Sequence, residues 1–73
     1  MKLFRVQHHH EVLGWMTIPF AEGSRRYCDG WVDCMDSIYP SRPVRIICIE
    51  NILQPKVFTV VRETEGQAAP HVN

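Results

Sequence analysis

Residues 24–49, SRRYCDGWVDCMDSIYPSRPVRIICI, decide the fold because a helical pattern runs directly into a strand pattern. In the first part, apolar side chains recur every three or four positions, which is typical of a helix with one face on a core. Ser24 can cap the first turn, and Pro40 disfavours helical geometry at Tyr39, so we predict a helix that ends near Ile38. The predicted core side consists of Tyr27, Trp31, Cys34 or Met35, and Ile38, flanked by Cys28, Val32 and Tyr39.

The second part, residues 44–49, is β-branched and almost continuously apolar, which predicts an inner strand. Further strands are predicted at residues 2–8, at residues 12–18 up to Pro19, and at residues 56–62. The order is therefore β-β-α-β-β. We predict an α+β fold in which one helix packs on one face of a small antiparallel sheet. Residues 1–62 form this single domain, and residues 63–73 are expected to be a disordered tail.

The composition argues against several classes of protein. The 73 residues are too few for a second core and leave little room for a catalytic pocket, so we expect no enzymatic activity, no cofactor and no small-molecule substrate. Eight basic side chains against eight acidic ones give no net charge, which argues against direct nucleic-acid binding. No apolar run approaches the ~20 residues that span a bilayer, so no membrane association is expected. Three cysteines are an odd number, which favours a reducing cytoplasm.

The histidines and cysteines are the candidate metal ligands. Structural zinc sites usually take ligands in close pairs, whereas Cys28 and Cys34 are six residues apart, about 240° around a helix. Adjacent histidines of a strand point to opposite faces, so within the run His8-His9-His10 only the first and third could act together. We predict no metal site and keep a small zinc-binding module as an alternative.

The charges of the predicted helix have two interpretations. Arg25 and Arg26 begin the helix, and Asp29, Asp33 and Asp36 follow on the face away from the core. This order is the reverse of the one that the helix dipole favours. A small domain that keeps an unfavourable arrangement can be using it to contact a partner, although a solvated surface is the simpler explanation.

A resemblance narrows the functional prediction. The stretch SRRYCDGW at residues 24–31, followed by YPSRPVRI at residues 39–46, resembles the helix-turn-strand passage of very small phage-encoded proteins. The size and order of elements are similar to those of the small regulators with which lytic phages, such as those of Xanthomonas, seize the host transcription machinery. The resemblance implies a stoichiometric inhibitor that binds host RNA polymerase, represses initiation at host promoters and lets elongating polymerase pass terminators.

The predicted binding surface follows from the hairpin at the start of the chain. We expect its first strand to have a free edge that docks on the polymerase together with nearby charged side chains. The candidate protein-binding residues are Lys2, Arg5, His8, His10, Arg25 and Arg26. The expected protein is a monomer in the host cytoplasm. The alternative is a phage inhibitor of another host complex, such as a CRISPR surveillance complex or nuclease, engaged through the three aspartates.

Overall fold

The computed structural model describes residues 2–65 of the chain. This part of the chain contains four antiparallel strands and one helix. The elements are β1 (Leu3–His10), β2 (Gly14–Gly23), α1 (Arg25–Ile38), β3 (Val44–Ile49) and β4 (Thr59–Thr64). The strands form one sheet in the order β2-β1-β3-β4, and α1 packs across β1, β2 and β3. The predicted α+β fold, with one helix on an antiparallel sheet in the order β-β-α-β-β, is confirmed.

The first strand lies inside the sheet and not at its edge. β1 pairs with β2 on one side, where Phe4 lies opposite Gly23, and with β3 on the other, where Leu3 lies opposite Ile49. The expectation that this strand has a free edge is therefore wrong. β3 lies between β1 and β4, which confirms that residues 44–49 form an inner strand.

The second strand continues past the proline that was expected to stop it. β2 includes Pro19 and runs to Gly23, and Phe20 adopts a left-handed φ of 68°. The pairing with β1 shifts register at the same level, between Arg5 and Gln7. Because β2 is an edge strand, the missing amide proton of Pro19 can be accommodated beside an irregularity of this kind.

The helix has the predicted limits, and its core side agrees with the predicted one only in part. Ser24 is the N-cap, its hydroxyl accepting a hydrogen bond from the Tyr27 amide at 3.1 Å, and the last helical residue is Ile38. The fully buried helical residues are Cys28 and Val32, which the sequence placed beside the core stripe. Tyr27 and Ile38 are instead 48% and 58% exposed, because α1 is rotated relative to the predicted orientation.

The main core lies between α1 and the sheet. Trp31 and Met35 of α1 are partly buried against it. Its fully buried residues are Val6, Ala21, Val44 and Ile46 from the strands and Cys28 and Val32 from the helix.

The last strand lies further along the chain than expected. β4 contains Glu63 and Thr64, which pair with Arg45 and Val44 although the sequence assigned both to a disordered tail. A partner strand is what orders them, and such a partner is not visible in a local pattern. The remainder of the predicted tail, from residue 66 onward, lies outside the described residues.

Candidate protein-binding surface

The face of the sheet opposite α1 carries a row of polar and aromatic side chains, which we call the open face. Strand residues alternate between the two faces, so those between the core residues of β1 and β3 point away from the helix. Cross-strand register adds their partners on β2, since directly opposed residues share a face. The open face comprises Arg5, Gln7 and His9 of β1, Trp15 and Thr17 of β2, and Arg45 of β3. The apolar Leu3, Ile47 and Ile49 lie on the same side of the sheet, at the end where β1 begins.

Arg45 lies at the centre of the open face between two aromatic rings. Its guanidinium carbon is 4.3 Å from the centroid of Trp15 and 5.2 Å from that of Phe58, which precedes β4. Its Nε donates a 2.8 Å hydrogen bond to Oε1 of Gln7. Burial lowers the pKa of Arg45 while the nearby Glu63 raises it, and an arginine remains charged in either case. The charged group is therefore held in place before any partner arrives.

The Trp15 ring contacts His9 in addition to Arg45. The His9 ring meets it edge to face, with centroids 5.1 Å apart and an interplanar angle of 74°. Neither Trp15 nor Arg45 is among the six candidate binding residues predicted from the sequence. The available signal was the single arginine between Val44 and Ile46, which alternation places on the face opposite the core.

The charges of the open face are largely compensated within the chain. Arg5 Nε donates to Glu22 across the β1–β2 pair at 2.6 Å. Glu63 lies directly opposite Arg45 in the β3–β4 pair. A surface whose two arginines each face a carboxylate offers little attraction for a phosphate backbone, whose binding depends on uncompensated cations.

The structure does not bring the six predicted binding residues together. Lys2, 4.0 Å from Glu50, is at the end of the sheet where β1 begins. Arg25 and Arg26 begin α1 after the end of β2, and Arg5 is on the open face. His8 and His10 lie towards the opposite end of β1. Of the six, only Arg5 belongs to the open face.

The two histidines of the predicted set have internal contacts. His8 shares the helix side of the sheet with Val44, and its Nδ1 is buried without a hydrogen-bond partner in the described part of the chain. Burial, and then the charges of Arg42 and His10, hold the pKa of His8 below its ordinary value. Nδ1 of His10 accepts hydrogen bonds from the amides of Val12 and Leu13 at 3.1 and 3.2 Å. His10 therefore closes the β1–β2 turn.

The aspartates of α1 are engaged by an arginine that the sequence interpretation missed. Arg62 of β4 donates to Asp29 Oδ1 and to Asp33 Oδ1, each at 2.8 Å, and Arg25 approaches Asp29 at 3.3 Å. These contacts, led by the hydrogen bond from Arg62, lower the pKa of Asp29. Two of the three aspartates thus join the helix to the sheet, so the expected free acidic stripe is reduced to Asp36. The signal was Arg62 itself, the single basic residue of a strand that otherwise contains valine, threonine and one glutamate.

The cysteines are free thiols and lie apart. Cys28 and Cys48 are buried and Cys34 is exposed. Burial raises the pKa of the Cys28 thiol, which disfavours its nucleophilic thiolate form. Within residues 2–65, no three His, Cys, Asp or Glu side chains cluster in a way that could hold a metal ion.

Two further findings concern membrane-spanning helices and similarity to known proteins. In the described part of the chain, no helix has both the length and the apolar character needed to cross a membrane. Comparisons with protein-family models, curated proteins and solved structures find no match for this chain.

Proposed function

We propose that this chain is a phage-encoded inhibitor that binds the host RNA polymerase in the cytoplasm through its open face. Binding represses initiation at host promoters and allows elongating polymerase to read through terminators. The identity of the target comes from the resemblance of residues 24–46 to small phage regulators. The choice of surface comes from the arrangement of Trp15, Arg45 and Phe58. It replaces the first-strand edge, which is occupied on both sides.

The observation that carries the choice of surface is the stacking of Arg45 between Trp15 and Phe58. Tryptophan and arginine are among the residue types that contribute most to protein interfaces. Because Gln7 also holds the guanidinium, little side-chain entropy remains to be lost when a partner binds. The compensated charges of the same face favour a protein partner over a nucleic acid.

Binding of purified bacterial RNA polymerase, as core enzyme and as holoenzyme, to the immobilised chain tests the target and the surface together. Arg45→Gln should weaken binding at least about tenfold, because it removes a preordered charge from the interface. Arg42→Gln is the matched control, since Arg42 also stacks on an aromatic ring, 5.6 Å from the centroid of Tyr39, but lies in the loop before β3. It should bind like the unaltered chain.

The two parts of the proposal fail in different ways. If neither form of the polymerase binds, RNA polymerase is not the target. If polymerase binds and Arg45→Gln binds as tightly as Arg42→Gln, the open face is not the surface. Run-off and terminator read-through assays with the same variants then test inhibition and antitermination. Each activity should be lost in parallel with binding.

A further inference from the structure

A cavity of about 340 Å³ lies at the end of the sheet where β1 turns into β2, and we call it the turn cavity. The turn itself forms one wall, with His10 and Glu11, and the loop before β3 forms the other, with Arg42. The His9 amide donates to the Pro43 carbonyl at 3.0 Å, which holds the two walls together. The volume is in the range of small-molecule sites, and the proposed function does not use it.

The turn cavity presents one acidic and one basic side chain that do not neutralise each other. Glu11 and Arg42 both line it, yet within residues 2–65 neither takes part in an ion pair. The guanidinium of Arg42 lies over the Tyr39 ring, 5.6 Å from its centroid, which helps to hold it at the wall. Two opposite charges that share a cavity without touching leave space between them for a ligand with both charges.

His10 brings a hydrogen-bond donor of defined position to the same cavity. Its Nδ1 accepts from the amides of Val12 and Leu13 at 3.1 and 3.2 Å. A ring that accepts at Nδ1 carries its proton on Nε2, so the outer nitrogen is a donor. Ser41, beside Arg42 in the lining, adds a hydroxyl donor. The donors of this cavity thus outnumber its single carboxylate.

We propose that the turn cavity binds a free aliphatic amino acid, with the ligand carboxylate on Arg42 and the ligand ammonium group on Glu11. Guanidinium and carboxylate form paired, charge-assisted hydrogen bonds, and the donors of Ser41 and His10 suit the remaining lone pairs of the carboxylate. Val12 and Pro43 supply the apolar part of the lining for the side chain.

The charges favour a zwitterion over a simple anion. Phosphate would gain the attraction of Arg42 and meet the repulsion of Glu11, whereas a zwitterion satisfies both groups at once. The amino acid is bound and released unchanged, so it is a ligand and not a substrate. The site is distinct from the cluster of Trp15, Arg45 and Phe58 on the open face.

A set of matched ligands tests each half of the contact. The full-length chain is titrated with leucine, with leucinamide, which lacks the carboxylate, and with N-acetylleucine, which lacks the ammonium group. Amide resonances of the two walls report binding by NMR. Leucine should bind in the millimolar range or tighter, and each of the other two should bind about fivefold or more weakly, because each loses one charge-assisted contact.

Two variants should remove these preferences separately. In Arg42→Gln, leucine should bind no better than leucinamide binds the unaltered chain. In Glu11→Gln, leucine should fall to the affinity of N-acetylleucine for the unaltered chain, while inorganic phosphate should bind more tightly because a repulsive charge is gone. Arg26→Gln and Glu50→Gln are the matched controls, since Arg26 begins α1 and Glu50 lies near Lys2 at the other end of the sheet. Both should bind leucine as the unaltered chain does.

Three results would overturn the proposal. The first is an absence of shifted resonances at about 20 mM leucine, since that limit leaves only negligible affinity. The second is binding of leucinamide or N-acetylleucine as tightly as leucine. The third is an Arg42→Gln variant that keeps its β1 amide spectrum and the full affinity for leucine. Polymerase binding is measured without amino acids in the buffer, so its outcome and that of the ligand titration are independent.

Discussion

Arg62 joins the helix to the edge strand β4 with a single side chain. Its two terminal nitrogens each reach a different aspartate of α1, one helical turn apart. The guanidinium suits this role because its donors are fixed in one plane and cannot lose their charge near neutral pH. The contact explains why acidic residues are tolerated in the middle of α1, where the helix dipole offers them no advantage.

Arg62→Gln should lower the melting temperature by a few degrees at neutral pH, because two ion pairs are lost at once. Since Arg62 lowers the pKa of Asp29 in the folded chain, the stabilisation is complete above the ordinary aspartate range near pH 4 and is lost as the pH falls through the lowered value. The melting temperatures of variant and unaltered chain should therefore converge as the pH falls below that lowered value. An Arg26→Gln control, at an arginine without an ion pair among the described residues, should leave the pH dependence unchanged. It should raise the melting temperature slightly, because a positive charge in the first turn of α1 opposes the helix dipole.

His8 predicts a second pH dependence, at higher pH. Its pKa is lowered in the folded chain, so the unfolded chain binds the proton more readily once the pH falls below about 6.5. The free energy of unfolding should thus be greatest above that pH and decrease towards pH 5, by at most about 1.4 kcal/mol per pH unit for one proton. Chemical denaturation at pH 7 and pH 5 measures the decrease. It should be much smaller in His8→Gln and should persist in His9→Gln, whose ring is on the open face.

The helix is the element that local sequence determines best. Its start depends on the Ser24 hydroxyl and its end on Pro40, and both signals act within one turn of the chain. The rotation of the helix about its own axis was harder to predict than its limits, because apolar residues occur around much of the circumference of α1. Tyr27 and Cys28 are both plausible core residues by spacing, and packing against the sheet decides in favour of Cys28.

Ser24→Ala should lower the free energy of unfolding by about 1 kcal/mol, since the Tyr27 amide loses its side-chain acceptor. Urea denaturation at neutral pH measures the change. Ser37→Ala, at an exposed position near the end of α1, replaces a serine by a better helix former and should be neutral or slightly stabilising. An equal loss of stability in the two variants would contradict the assignment of Ser24 as the cap.

The strand order of the whole molecule was beyond the reach of local patterns. β1 was expected to have a free edge because it begins a hairpin at the start of the chain, and its arginine, glutamine and histidine side chains do not reveal that a second strand pairs with it. These side chains are polar because the open face is uncovered by any helix of residues 2–65, and not because the strand lacks neighbours. The cluster of Trp15, Arg45 and Phe58 was also missed, because its members come from three distant segments that only the sheet brings together.

Amide hydrogen exchange should report this order directly. Backbone amides of β1 and β3 are flanked by strands on both sides, so the slowest exchange, on the scale of global unfolding, should occur in these strands near residues that are paired on both sides, such as Gln7 and Ile46. Amides of β2 and β4 should exchange faster, because one side of each strand is unpaired in the described sheet. Slowest exchange in β4 would contradict the order β2-β1-β3-β4.

The interior position of β1 has a consequence for synthesis on the ribosome. The β1–β2 hairpin can close as soon as its own residues emerge, but the other side of β1 must wait for β3, whose Ile49 lies opposite Leu3. The whole of α1 emerges in that interval. During it, the nascent hairpin exposes the apolar side of Phe4 and Val6 together with an unpaired row of backbone groups, which makes this the stage of production most vulnerable to aggregation or chaperone capture.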